Sequence, residues 1–276
     1  MFAFSSLWRF EGNDLTAYFS DFWTHSIYSF ELLENHHIPA SFLAKTPLKI
    51  ANIAMNTPYA GLHTCFSPVS EKPEERSNAV THLVLAAKKA LQMKTPYVVI
   101  WPGVISLLQD SAEDPSADKV ALLKKRHAFS SSYLDRLCRS LHQVNKVVPD
   151  AIFCIPPART LAELPLCDEL EWIISDLKNI KIQYWHNPVS CRLLNKAGHV
   201  ESEAWLEKYS NQIAGVYLED MLDQEGLYPP GIGEINFQHL KRNIPHQSIR
   251  VLRIDGRIEP EQLWYCYRYL KDQGLV

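Results

Sequence analysis

Short apolar runs alternate with longer amphipathic stretches along this chain. The runs Met1–Ser5, Ser26–Leu33, Lys49–Met55, Tyr97–Trp101, Ala151–Ile155, Lys181–Trp185, Ile213–Leu218 and Ile249–Ile254 each read as a strand. Most are apolar at consecutive positions, the pattern of strands buried on both faces of a parallel sheet. The stretches between them predict helices. One starts at Asn13-Asp14, residues able to cap it, and runs through Leu15, Phe19 and Phe22. Glu74–Gln92 places Val80, Leu83, Val84, Ala87 and Leu91 near one face. Asp118–Val147 is a long helical stretch with a possible break at Ser130-Ser131-Ser132, followed by Asp168–Leu177, Glu201–Tyr209, Asn236–Arg242 and Pro260–Lys271. Only the second unit is thin, since Pro39–Thr46 holds little more than one helical turn.

Eight strands with interposed helices, at spacings of about thirty residues, predict a (β/α)8 TIM barrel. A doubly wound open sheet is the alternative. Against it, no strand leads into a G-x-G-x-x-G or G-x-x-x-x-G-K-[ST] loop. Gly231-Ile232-Gly233 is the nearest approach, and it sits in a Pro-rich loop. The length of 276 residues suits one barrel domain spanning 1–276.

Composition narrows the function. The chain has 28 Lys+Arg against 31 Asp+Glu, a net charge of −3, with 46% hydrophobic residues. That balance excludes a disordered chain and argues against a nucleic-acid partner, which needs a basic surplus. No window approaches the roughly 20 apolar residues of a membrane span, and Met1–Arg9 lacks a signal-peptide pattern, so the expected location is cytoplasmic. The six cysteines, Cys65, Cys138, Cys154, Cys167, Cys191 and Cys266, form no C-x-x-C pair and read as packed, reduced thiols.

Four segments resemble a known family. Val216–Phe237 (VYLEDMLDQEGLYPPGIGEINF), Ala86–Gly103 (AAKKALQMKTPYVVIWPG), Asn52–Tyr59 (NIAMNTPY) and Trp185–Gly198 are similar to the seventh-, fourth-, third- and sixth-strand segments of the xylose isomerase-like TIM barrels. That group comprises sugar phosphate isomerases and epimerases and includes endonuclease IV-like proteins. The resemblance implies an isomerase or epimerase with a divalent metal at the C-terminal strand ends. The family's ligand positions, however, fall here on Asn56, Trp101, Ile155-Pro156, Trp185 or His186, Tyr217 and Arg253, with Asp220 retained. Pro, Trp and Arg cannot ligate a cation. The expectation is therefore no metal and no cofactor. A register error of one or two residues would reopen a site from Glu31, His186, Asp220 and Asp255.

The candidate catalytic residues are Glu31, His186 and Asp220. Glu31 lies between apolar strand residues, where a carboxylate must be paired or line a wet mouth. Arg253 is the natural partner. A buried Glu31–Arg253 pair is the plainer reading; a bidentate clamp on a substrate carboxylate or phosphate is the functional one. His186, after the sixth strand, is either an acid–base group or a hydrogen-bonded loop residue. Of Glu219 and Asp220 only one points into the mouth, and the resemblance favours Asp220. Asn56, Trp101, Trp185, Tyr217 and Arg253 are the candidate substrate-binding residues. The aromatic ones form either a platform for a sugar ring or a filling for a vacated site. His36-His37 reads as a solvated loop, and Lys124-Lys125-Arg126-His127 as a solvated helix face.

Three functions compete. A metal-independent carbohydrate isomerase or epimerase would share proton transfer among Glu31, His186 and Asp220, with Arg253 stabilising charge. A catalytically inactive barrel would bind a small molecule or a protein. Endonuclease activity is disfavoured, because it needs a metal cluster and a basic DNA face.

Overall fold

The apolar runs pair in parallel, and the eighth closes on the first. The computed structural model describes residues 1–8, 15–58, 66–109, 118–199 and 202–276. The strands β1 (Phe2–Ser5), β2 (Ser29–Leu33), β3 (Lys49–Ala54), β4 (Tyr97–Val99), β5 (Ile152–Ile155), β6 (Ile182–His186) and β7 (Ile213–Leu218) follow in chain order. A small antiparallel hairpin of β8 (Asp220–Leu222) and β9 (Glu225–Tyr228) comes next, and then β10 (Ile249–Leu252). β1 to β7 and β10 form a closed barrel in sequential order, with β1 paired to both β2 and β10. Closure excludes the open doubly wound sheet.

Helices α1 (Leu15–Thr24), α2 (Ala40–Leu43), α3 (Pro73–Gln92), α4 (Lys119–Val147), α5 (Cys167–Asp176), α6 (Pro188–Lys196), α7 (Ser202–Tyr209), α8 (Phe237–Asn243) and α9 (Pro260–Asp272) surround it. The Asn13-Asp14 cap and the Glu201 helix start lie outside the described residues. The serine run does not break α4. Asp118 caps that helix by accepting from the Val120 and Ala121 amides at 2.9 and 3.2 Å. The basic run on α4 is not wholly solvated either. Arg126 is buried and clamps α4 to α5 by a two-point contact with Glu169, Nη2 to Oε2 at 2.5 Å and Nε to Oε1 at 3.1 Å.

Strand alternation sorts side chains into two cores. Outward residues such as Phe4, Phe30, Ile53, Val98 and Phe153 pack beneath the helices. Small residues of the inward set, Ala3, Ala51, Ala54, Cys154 and Ala214, leave room that Trp185 and Tyr217 fill. Trp185 occupies the barrel interior over Gly215, its paired residue on β7. A Cβ at Gly215 would stand 2.5 Å from two ring carbons of Trp185 and 2.9 Å from the Ile249 carbonyl oxygen. Gly215→Ala is expected to destabilise the chain by about 1–3 kcal/mol through overpacking. The double change Gly215→Ala/Trp185→Phe is expected to recover part of that loss. Chemical denaturation of both variants checks this, and an unshifted Gly215→Ala midpoint would refute the packing account.

Candidate functional site

A carboxylate on the barrel axis needs donors, because water does not reach it. Glu31 on β2 is fully buried. Its Oε1 accepts from the Ser5 hydroxyl at 2.7 Å. Its Oε2 accepts from the Asn52 amide at 2.7 Å and from the Tyr217 hydroxyl at 3.0 Å. Three strands thus converge on one side chain. Arg253 is not among these partners; the expected Glu31–Arg253 ion pair does not form. Instead the Arg253 guanidinium stacks over the Tyr217 ring, 4.7 Å from its centroid.

Alternation along β7 and past its end puts Tyr217 and Glu219 on the axial face, and Leu218 and Asp220 on the other. Tyr217, Glu219 and Arg253 accordingly line a cleft at the C-terminal end of the barrel, together with Trp101, Arg159 and Glu163. Its cavity volume is about 40 Å³, and it opens to solvent. Arg253 is only 7% exposed, yet among the described residues its side chain makes no hydrogen bond or ion pair, and its Nε is orphaned. Burial works against its charge, but Tyr217, Glu219 and Glu31 outweigh that and hold its pKa above the usual value. Burial raises the Glu219 carboxyl, against the pull of Arg253, Arg159 and a hydrogen bond from Asn187. Burial also pushes Glu163 up to about 8, although the Arg159 amide donates to it at 2.7 Å.

The expectation that Asp220 faces the mouth is corrected. Asp220 is fully buried and does not line the cleft. Its Oδ1 accepts from the Met221 and Ile235 amides at 2.9 and 3.0 Å, and its Oδ2 from the Gly231 and Gly233 amides, both at 2.9 Å. The Gly-Ile-Gly loop therefore turns its amides onto an internal carboxylate. That clasp anchors the loop that follows β9, and Leu227 of β9 itself lines the cleft.

His186 ends β6 rather than following it, and it faces the helices. Its Nδ1 shares a 2.7 Å hydrogen bond with the Tyr184 hydroxyl, and its Nε2 is buried without a partner. Burial, helped by the charge of His239, lowers its pKa to about 3. Trp185 is fully buried in the barrel interior and does not reach the cleft. Asn56 lines a separate depression with Glu34, Phe66, His82 and Lys89. Lys89 there donates to the main-chain carbonyls of Leu33, Glu34 and His36. His36 is half-buried against the Ser6 hydroxyl rather than solvated.

Sequence reasoning missed Glu163, Arg159 and Thr57 of the cleft. It also missed α6 and the β8–β9 hairpin. α6 carried a signal in Asn187-Pro188, a cap followed by proline at the first helical position, and Asn187 Oδ1 accepts from the Ser190 amide at 3.0 Å. Arg159 and Glu163 lie in an irregular loop with no periodicity to read.

The metal implied by the resemblance does not fit the residues present. A hard cation needs several converging oxygen ligands. The cleft instead holds two guanidinium groups, and the Asp220 and Glu31 oxygens are engaged by amides, hydroxyls and Asn52. Asp255 is occupied by Arg257 at 2.8 Å. Among the described residues no group of three or more His, Cys, Asp or Glu side chains is placed to hold a metal ion.

Two outcomes follow from these environments. Asp220→Asn halves the anionic clasp and is expected to cost about 2–3 kcal/mol. Hydrogen exchange should show the loss of protection concentrated at the Gly231, Gly233 and Ile235 amides; uniform loss would contradict the assignment. His186 has a folded pKa below its ordinary 6.5, so the unfolded chain takes up the extra proton. Its contribution is intact above about pH 6.5 and is lost as pH falls toward 3, by roughly 2 kcal/mol between pH 7 and 5. Urea midpoints at the two pH values should show a smaller drop for His186→Gln than for the unaltered chain.

No family model matches the sequence, and no curated protein matches it. Solved structures do match in fold. A D-tagatose 3-epimerase-like protein superposes with a TM-score of 0.69 at 18% identity, covering 99% of this chain and 96% of that one. A putative xylose isomerase from Rhodospirillum rubrum gives 0.68 at 12% identity, covering 99% and 98%. The 3-keto-D-glucoside 4-epimerase of E. coli gives 0.67 at 11% identity, covering 98% of each chain. With the closed parallel barrel, these likenesses establish that the chain has the xylose isomerase-like (β/α)8 fold.

Proposed function

We propose that the chain takes a small carbohydrate-type ligand into the cleft at the C-terminal end of the barrel and moves a proton beside its carbonyl group without a divalent metal. One observation carries this reading. Four polar atoms on residues lining the same cleft are buried and have no partner: Thr57 Oγ1, Trp101 Nε1, Glu219 Oε2 and Arg253 Nε. A buried polar atom without a partner is costly, and four around one cleft support a polar ligand there. The set contains both donors and acceptors, which suits a polyol.

The proton chemistry falls to residues other than those the sequence suggested. Glu219, with one open oxygen and two nearby cations, is the base. Glu163, whose carboxyl keeps its proton at neutral pH, is the acid partner. Arg253 supplies the fixed positive charge that stabilises an enolate oxygen. The several epimerases of the same fold support this reaction class. A second reading, binding without turnover, is favoured by one fact: Glu31 and Asp220 are saturated with hydrogen bonds and His186 faces the helices.

The test is deuterium exchange at the carbon beside the carbonyl of D-fructose and D-tagatose, followed by proton NMR in D2O with chelator-treated protein. Exchange should persist in chelator and fall at least about 100-fold in Glu219→Gln. Exchange that vanishes with chelator and returns with Mn²⁺ would overturn the metal-free proposal. Binding with no exchange in either protein would establish the second reading.

A further inference from the structure

We infer that the ligand of this cleft carries an anionic oxygen group, a carboxylate or a phosphate, which Arg253 and Arg159 receive. The inference deepens the proposed function and rests on its reading of the cleft as a carbohydrate site.

Arg253 is the starting point. A guanidinium has five N–H donors and remains charged. When it is removed from water, the lost hydration must be returned by an acceptor, and a charged acceptor forms a bond about twice as strong as a neutral one. Arg253 is 7% exposed, its side chain has no hydrogen bond or ion pair among the described residues, and it stacks on the Tyr217 ring. Glu31 and Glu219 act on it through space, yet neither lies within ion-pair distance. The Glu31 oxygens are already taken by Ser5, Asn52 and Tyr217. The guanidinium is thus held in place from one side and left open on its hydrogen-bonding edge.

Arg159 adds a second cation to the same cleft. The charge of Arg253 disfavours the charge of Arg159, so the two repel. Glu219 and Glu225 offset part of that repulsion. The β8–β9 hairpin lies against Arg159: a Cβ on Gly226 would come within 3.0 Å of Val189 Cγ1 and 3.3 Å of Arg159 Nη1. A side chain there would displace the guanidinium. Both guanidinium charges attract an anion that enters the cleft they line. The Thr57 hydroxyl and the Trp101 N–H then serve the hydroxyl groups of the same molecule, and the open Glu219 oxygen is left for the proton transfer.

The experiment is calorimetric titration of the full chain with D-fructose, D-fructose 6-phosphate, D-glucuronate and inorganic phosphate. One or both anionic sugars should bind at least about tenfold more tightly than D-fructose, and the stronger of the two identifies phosphate or carboxylate as the group. Arg253→Met should remove most of that difference, weakening the anionic sugars by about 10- to 100-fold more than it weakens D-fructose. Arg159→Met gives an independent second variant, expected to weaken the same ligands in the same order. Equal affinity for D-fructose and the anionic sugars, or equal weakening of all ligands by both variants, overturns the inference and leaves the carbohydrate reading standing. Inorganic phosphate binding as tightly as the anionic sugars, with no D-fructose binding, upholds the anion site and removes the carbohydrate reading. No binding of any probe overturns both.

Discussion

A buried carboxylate on the axis of a closed barrel has to be satisfied by the barrel itself. Glu31 meets that requirement with donors from β1, β3 and β7, and in doing so it locks the Tyr217 hydroxyl beneath the mouth. Burial and the nearby Glu31 charge keep Tyr217 protonated, so it remains a donor. The Tyr217 ring then presents a face on which the Arg253 guanidinium rests at 4.7 Å. The position of the Arg253 guanidinium therefore traces back through Tyr217 to the buried Glu31 carboxylate. Removing a donor from Glu31 would disturb the packed interior and the mouth together.

The walls of the cleft follow a second satisfied carboxylate. Asp220 gathers four backbone amides and so converts a Gly- and Pro-rich loop into a defined support for the segment that lines the cleft. Both acidic groups that look chemical in the sequence are thus held by hydrogen bonds within the fold. The carboxyls left facing the cleft, Glu219 and Glu163, are the ones whose proton affinity burial has raised. This division fits a general pattern. Perturbed acid groups of this kind cluster at functional sites.

How much of this was legible depended on the range of the information. Tyr217 and Asp220 were both assigned to the mouth, yet residues three apart on an extended strand face opposite sides. Keeping Tyr217 requires Glu219, and the alternation in the sequence held that answer. The same argument separates Trp185 from His186. Asn187-Pro188 likewise announced α6. By contrast, nothing in the run from Lys124 to His127 distinguishes Arg126 as the buried member, because its burial depends on Glu169 and the Leu161 carbonyl on other elements. Trp185 as plug rather than platform depends on the absence of a side chain at Gly215, thirty residues away.

The sequence by itself determined the barrel: its apolar runs and capping residues are local signals, and their order and spacing admit few closed arrangements. Only the tertiary structure decided which side chains meet. Register shifts at Phe30/Glu31 and Tyr184/Trp185 reset which residues align across the sheet. Through them and the barrel's closure, Glu31 meets Tyr217 across 186 residues of chain, and Arg253 is left without the partner that chemistry alone would have assigned it. Those pairings depend on barrel closure and packing over the whole chain, and no short window of sequence contains them.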